Sequence, residues 1–328
     1  MSKEEQIIDI LSLNPFISQK ELAQQVGLSR PAVANYIARL TKQGIIKGRA
    51  YILQRDFVLC VGAANIDQEA RTLESLQYHT SNPVEIAESY GGVARNFASS
   101  LKEMGMDTSL LTAIGDDASG ERLLQHSKGE GIDINHVWTF PSARTGTYTA
   151  VVDKNGENVL SIADMNLYEA ITKDMINEQW PHIQSAKAVF LDLNFQEKVI
   201  QYLLQRLKAN EIPVYIDGVS SIKVKKLPKS LNNVHLLTLS KKELQALTKT
   251  EDLVEGAKSL IDRGLENLVI IGRKELTYAR EKEIKSIVYQ EDFTIDTDKK
   301  RNEISAKMMY GLLNKEVLEE AIRNSLKE

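Results

Sequence analysis

Apolar positions recur at helical spacing through roughly the first forty residues and then give way to short unbroken runs. Ile7, Ile8, Ile10 and Leu11 lie close to helical spacing within residues 3–14, and Asn14-Pro15 stops that segment. Ser18 with Glu21 three residues later forms a capping box, which opens a second helix with Leu22, Ala23 and Val26 facing inward and Gly27 ending it. Ser29 then caps a third helix, with Pro31 tolerated in its first turn and Val33, Ile37 and Leu40 as its buried stripe. Gly44 to Leu53 reads as a short strand, a glycine turn and a second strand. From residue 57 the pattern is different. Phe57 to Gly62, Ala188 to Leu193, Val214 to Asp217, His235 to Leu239 and Leu268 to Ile271 are apolar runs separated by amphipathic stretches, which predicts a mostly parallel α/β sheet covered by helices on both faces.

Composition leaves this picture intact and narrows it. The chain has 328 residues, 42% hydrophobic and 26% charged, enough for one large core and a small satellite. We expect a division into residues 1–55 and 56–328. No apolar window is long enough to span a bilayer, and the first residues are polar and acidic, so a cytoplasmic location is expected. Cys60 is the one cysteine and sits inside an apolar run, which points to packing. His79, His126, His136, His182 and His235 lack metal-ligand spacing, so no metal site is expected. Charge is unevenly divided: residues 1 to 56 carry eight Lys/Arg against five Asp/Glu, a net of +3, and the remainder carries −7. A basic front end on an acidic body fits a nucleic-acid contact confined to the front.

The exposed side of the third helix would carry Arg30, Asn35, Tyr36 and Arg39, types that bond to phosphates and base edges, and Lys47 and Arg49 would lie on the following ribbon. Residues 3–53 resemble the winged helix-turn-helix domains of bacterial transcription regulators. A three-helix packing or dimerisation appendage is the alternative. In the large domain, ligands belong at the carboxyl ends of the strands. Asn65 and Asp67 follow the first strand there, and Gly91-Gly92 with Asn96 precede a helix; paired glycines admit a ligand to the backbone, and the amide both donates and accepts. Asp67 and Asn96 as simple turn caps is the plainer reading.

These clusters, with Gly115 to Gly120, Asp296-Thr297 and Tyr310 to Leu313, resemble the ribokinase-like (PfkB) carbohydrate kinases from about residue 57 onward. Gly91 to Asn96, Ser81-Asn82-Pro83 and Ala163-Asp164-Met165 are most similar to the pseudouridine kinase branch. The resemblance implies that Asp67, Gly92 and Asn96 hold ribose hydroxyls and that residues 140–165 form a β lid, with Asn65, Gly91 and Asp164 on the same side. It also implies 5′-hydroxyl phosphorylation from ATP and magnesium. Members of the family end in Asp-Thr-Thr-Gly-Ala-Gly-Asp, whose glycines bring helix N–H groups onto phosphate and whose last aspartate takes the hydroxyl proton. Here that stretch is Asp296-Thr297-Asp298-Lys299-Lys300-Arg301-Asn302, so the glycines are lost and an amide stands at the base position.

Two further departures lie on the same side. The family's Asn-x-x-Glu near magnesium reads Ser240-Lys241-Lys242-Glu243, and the nucleotide-side glycine turn keeps Gly272 but not its second glycine. Lys299-Lys300-Arg301 is then either a solvated charge run or, at the former anion hole, a set of three cations for a phosphate on a ligand. The expectation is a dimeric, ligand-responsive DNA-binding regulator that senses a nucleoside or sugar without phosphotransfer and needs no cofactor. The alternative is a working nucleoside kinase that uses ATP and magnesium.

Overall fold

The computed structural model describes residues 2–15, 17–48, 55–290, 293–295 and 297–327, with the side chains of Leu13 and Asp298 excepted. The front module contains α1 (Lys3–Leu13), α2 (Gln19–Val26) and α3 (Arg30–Lys42). The Ser18/Glu21 capping box is formed in both directions, Gly27 ends α2 in the left-handed conformation at φ 67°, and Ser29 caps α3. Ser2 and Glu5 make a second capping box at the start of α1. Ile7, Leu11, Leu22, Ala23, Val26, Val33, Ile37 and Leu40 meet in one small core, which Ile17 and Ile46 complete. Ile8 and Ile10 are only half-buried. The second strand expected for the wing falls at residues 49–54, outside the described residues.

The large unit begins with β1 (Phe57–Val61), β2 (Asn65–Thr72), β3 (Val84–Gly91), α4 (Val93–Glu103), β4 (Asp107–Leu111), β5 (Ala113–Gly115), α5 (Ala118–Gly129), β6 (Trp138–Phe140), β7 (Thr147–Val152) and β8 (Asn158–Asp164). It continues through α6 (Lys173–Glu178), α7 (Trp180–Ile183), β9 (Ala188–Asp192), α8 (Glu197–Ala209), β10 (Val214–Asp217), β11 (Val234–Leu239), α9 (Lys241–Thr248) and α10 (Leu253–Asp262). It ends with β12 (Asn267–Ile271), β13 (Glu275–Arg280), β14 (Glu283–Val288), α11 (Asp298–Leu313) and α12 (Leu318–Ser325).

Eight strands form the main sheet in the order β14-β13-β12-β11-β10-β9-β1-β4, parallel from β12 to β4, with an antiparallel hairpin at the other edge. Its apolar runs are unbroken because both faces are covered. Leu59, Val61, Val189, Leu191, Leu268 and Ile270 enter one core, and the alternating Val58, Cys60, Ala188, Phe190, Val269 and Ile271 enter the other. Cys60 is fully buried, and its surroundings push the thiol well above its usual range. β1 lies between β4 and β9, so the strand order reverses beside it, and ligands bind at the carboxyl ends around such a point.

A second sheet, β3-β2-β7-β8, rises from that end. Half of it comes from residues 65–91, ahead of the 140–165 stretch expected to form the lid. The mostly polar sequence of β2 conceals a strand half of whose residues are buried, while β3 and β8 are exposed along most of their length. Among the described residues, no helix is long and apolar enough to cross a membrane.

Candidate functional site

Where β1 ends, Gly62 turns the chain over a buried carboxylate. Asp192, at the end of β9, accepts from Ala63 N at 2.7 Å and Ala94 N at 3.2 Å through Oδ2, and from Asn194 N at 2.8 Å through Oδ1. Burial pushes this carboxyl above its ordinary range, and the backbone donors oppose that shift. A Cβ at Gly62 would overlap the Asp192 carboxylate. Tyr168 secures the next residue, its hydroxyl accepting from Ala64 N at 2.9 Å and donating to Ala64 O at 2.7 Å. Two loops distant in sequence are thereby fixed around one point.

The expected ligand residues gather there. Asn65 Nδ2 donates to Asp67 Oδ1 at 2.6 Å, a Cβ at Gly91 would overlap the Asp67 carboxylate, and one at Gly92, where φ is 95°, would run into the Ala63 backbone. Asn96 is one turn further along α4 and half-buried. Its N bonds Gly92 O at 2.8 Å, and its Oδ1 accepts from Arg95 Nη1 at 3.2 Å. With Lys299 and Glu303 it lines a cavity of about 440 Å³. Asp164 differs: its side chain is exposed and accepts from Asn166 Nδ2 at 3.1 Å, capping a turn. Only its backbone reaches the cluster, its carbonyl beside Gly146, whose own carbonyl accepts from Ile66 N.

The opposite side is filled. Asp217, at the end of β10, accepts from Val219 N and Thr238 Oγ1, both at 2.8 Å. Glu243, in the first turn of α9, accepts Ser240 N at 2.8 Å while the Ser240 hydroxyl caps Glu243 N, so Ser240 serves a helix cap. Arg301 lies between the two acids. Its Nη1 and Nη2 reach Glu243 Oε1 and Oε2 at 3.1 and 2.8 Å, and Nη2 lies 3.4 Å from Asp217 Oδ2.

The expectation of three available cations, or of a solvated charge run, is therefore corrected at Arg301, which is buried and held by carboxylates. Lys300 sits with its ammonium 4.2 Å from the centre of the Phe293 ring, and Lys299 is exposed at the Asn96 cavity. Asn302 is buried in the first turns of α11, and Thr297 Oγ1 caps Lys300 N there. Asp296 lies outside the described residues. Gly272 closes the tight β12-β13 hairpin, with its N bonded to Glu275 O at 2.8 Å and its O accepting the Tyr289 hydroxyl.

This donor set does not fit magnesium. Both oxygens of Glu243 and the nearer oxygen of Asp217 are engaged by N–H and O–H donors, and the counter-charge is a side chain. Nor does the start of α11 offer the glycine approach that a polyphosphate needs.

Reading along the chain missed Asp192, Tyr168 and Asp217. The available signal was a lone carboxylate ending an apolar strand, as in Ala-Val-Phe-Leu-Asp and Val-Tyr-Ile-Asp. Histidine spacing also concealed a grouping: Asp133, His136 and His182 come within 4.8 Å of one another. The two imidazoles stack at 3.5 Å, with His136 Nδ1 bonded to Gln179 and His182 Nε2 to Ser109, so the other nitrogen of each ring lies outside these bonds.

On the front module, Arg30 and Asn35 are exposed in the first half of α3. Tyr36 is half-buried beneath the Arg39 guanidinium, which lies 4.8 Å from the ring centre and pairs with Glu4 of α1. Lys47 is half-buried, and burial lowers its ammonium from the usual range. Arg49 lies outside the described residues.

A winged helix-turn-helix DNA-binding model matches residues 2–47, and a pfkB family carbohydrate kinase model matches residues 55–282. The chain belongs to the pfkB family of carbohydrate kinases and carries an N-terminal winged helix-turn-helix DNA-binding region. It is 33% identical over 290 residues to an uncharacterized sugar kinase, YeiI, of Escherichia coli (strain K12), covering 86% of this chain and 79% of that one. Pseudouridine kinase of the same organism is 34% identical over 222 residues, covering 66% and 70%. The structure of ribokinase from Thermotoga maritima superposes with a TM-score of 0.70 at 20% identity, covering 82% and 89% of the two chains, and so shares the ribokinase-like fold.

Proposed function

We propose that this protein is a ligand-responsive transcription regulator whose kinase-like domain binds a nucleoside or sugar with little or no phosphotransfer. The observation that carries the reading is the buried Arg301 guanidinium between Glu243 and Asp217. By the resemblance to the family's motifs, that is the nucleotide side of a kinase, and Asn302 beside it would stand at the base position. Asn65, Asp67, Gly91 and Gly92 remain gathered around the clamped loops, and Asn96 lies one turn away; they are the groups assigned to ligand hydroxyls. Asp164 would contribute through its backbone. Residues 1–55 would be the output domain and residues 56–328 the input, in a cytoplasmic homodimer that needs neither ATP nor magnesium.

The relation to pseudouridine kinase keeps a second reading open, that of an ATP- and magnesium-dependent nucleoside kinase with a regulatory DNA-binding domain. One assay separates them. The full chain is incubated with ATP, magnesium and a panel containing pseudouridine, uridine and ribose, and phosphorylated product is followed over time. Turnover at least 10²-fold below the ordinary kinase range of about 1–100 s⁻¹ is expected. Turnover inside that range removes the non-transferring reading.

A further inference from the structure

We infer that Arg301 takes the place of a divalent cation, its guanidinium serving as the built-in counter-charge of a two-carboxylate pocket that becomes a metal site when the arginine is removed. This deepens the non-transferring reading and rests on it, so metal binding and phosphotransfer are measured separately.

Asp217 and Glu243 are both almost completely buried and come from different elements. Burial raises the Asp217 carboxyl, Glu243 raises it further, and Arg301 opposes both. Two such acids need a cation between them, because an uncompensated buried charge is strongly destabilising. Guanidinium meets that need with a planar fork: two nitrogens lie on the two oxygens of Glu243, and one of them also approaches Asp217.

The partners are 58 and 84 residues away in the chain, so this contact fastens the first turns of α11 to α9 and β10. Arg301 N also bonds Thr297 O at 3.1 Å, placing the side chain from a capped helix start. A hydrated ion in the same position could exchange with solvent and accept phosphate oxygens. The arginine can do neither without breaking the pair, which makes the charge compensation permanent.

Mn²⁺ is the probe, read in the full chain by loss of the free-ion electron paramagnetic resonance signal and by melting temperature. Wild type is expected to bind no Mn²⁺ through these acids. Arg301→Ala should melt lower in metal-free buffer, by on the order of 5–10 °C. Mn²⁺ should recover most of that loss with one ion bound per chain, and Arg301→Ala/Glu243→Gln should lose the response. Should Arg301→Ala fold only when Mn²⁺ is present, that also supports the inference. Should it not fold under either condition, the bulkier neutral Arg301→Gln decides, and it too should gain a Glu243-dependent ion.

Wild-type Mn²⁺ binding that Glu243→Gln abolishes would overturn the inference. So would a folded Arg301→Ala or Arg301→Gln that takes up no ion. Wild-type phosphotransfer is scored separately: substantial turnover would remove the non-transferring reading and leave the metal result to be judged alone.

Discussion

A carboxylate at the end of an apolar strand has to find donors, and Asp192 finds three backbone N–H groups. Asp192→Ala would leave Ala63 N and Ala94 N without their acceptor, and each orphaned buried donor costs about 1–3 kcal/mol. We expect urea unfolding to show a loss in that range or larger, with Asp192→Asn losing less because it keeps an acceptor oxygen. Gly91→Ala should act on the ligand more than on the fold: its methyl would displace the Asp67 carboxylate, so nucleoside binding measured by calorimetry should fall at least tenfold.

His182 supplies a pH dependence. Burial, and then neighbouring His136, hold its imidazolium down to about 4 from 6.5. Between those values the unfolded chain binds the proton more readily. The stability contributed by the neutral ring is therefore complete above pH 6.5 and is lost as pH falls through about 4. The urea midpoint of wild type should decline across that window, and His182→Phe should flatten the decline. These residues show what the chain discloses and what it hides. Gly91-Gly92 and the Asn65/Asp67 pair were readable because each is a short local cluster and the two follow in recognisable order. The pairing of Arg301 was not, because its partners are brought to it only by the fold.

At the scale of elements, local rules were sufficient where an element is amphipathic or continuously apolar. The capping boxes, the Gly27 terminus and the five expected sheet strands all have local causes. The second sheet was less legible, since β2 is polar at most positions, β3 mixes exposed apolar and acidic residues, and the two are fixed by pairing with each other and, through β2, with β7. Cross-strand pairing puts Ile86, Ala70, Val151 and Leu160 in one row, with Ile162 on the same face, opposite to Asp67. Ile86, Leu160 and Ile162 are each more than half exposed. Under the proposed homodimer a second copy is the partner expected on this face, so Ile86→Asp should weaken self-association in sedimentation velocity, with a melting temperature that loses its dependence on protein concentration. On α3, Arg30→Ala and Asn35→Ala should each weaken binding to a selected DNA fragment by about 1–3 kcal/mol if they reach base edges. Arg39→Ala should perturb α1 as well, because its guanidinium pairs with Glu4.

For the whole molecule, the proposed regulation is a coupling between two sites. A ligand at the Asn65–Asp67 cluster alters DNA binding only if it binds the two conformations of the protein with unequal affinity. The acidic balance of the body and the basic balance of the front suit that division of labour, but charge alone does not couple them. On the proposed non-transferring reading, restoring one catalytic group should not be enough to produce phosphotransfer. Asn302→Asp alone is expected to leave phosphotransfer near background, because Lys299 and Arg301 still occupy the positions of the lost glycines.

The most direct test is the affinity of the full chain for a DNA fragment selected from genomic DNA, measured by fluorescence anisotropy at fixed salt with and without saturating pseudouridine or another nucleoside that binds. A change of roughly 5- to 150-fold, the usual span of allosteric coupling, that requires no ATP or magnesium and disappears in Asp67→Ala, is the predicted result. An affinity unchanged by a nucleoside that demonstrably occupies the site would contradict the account.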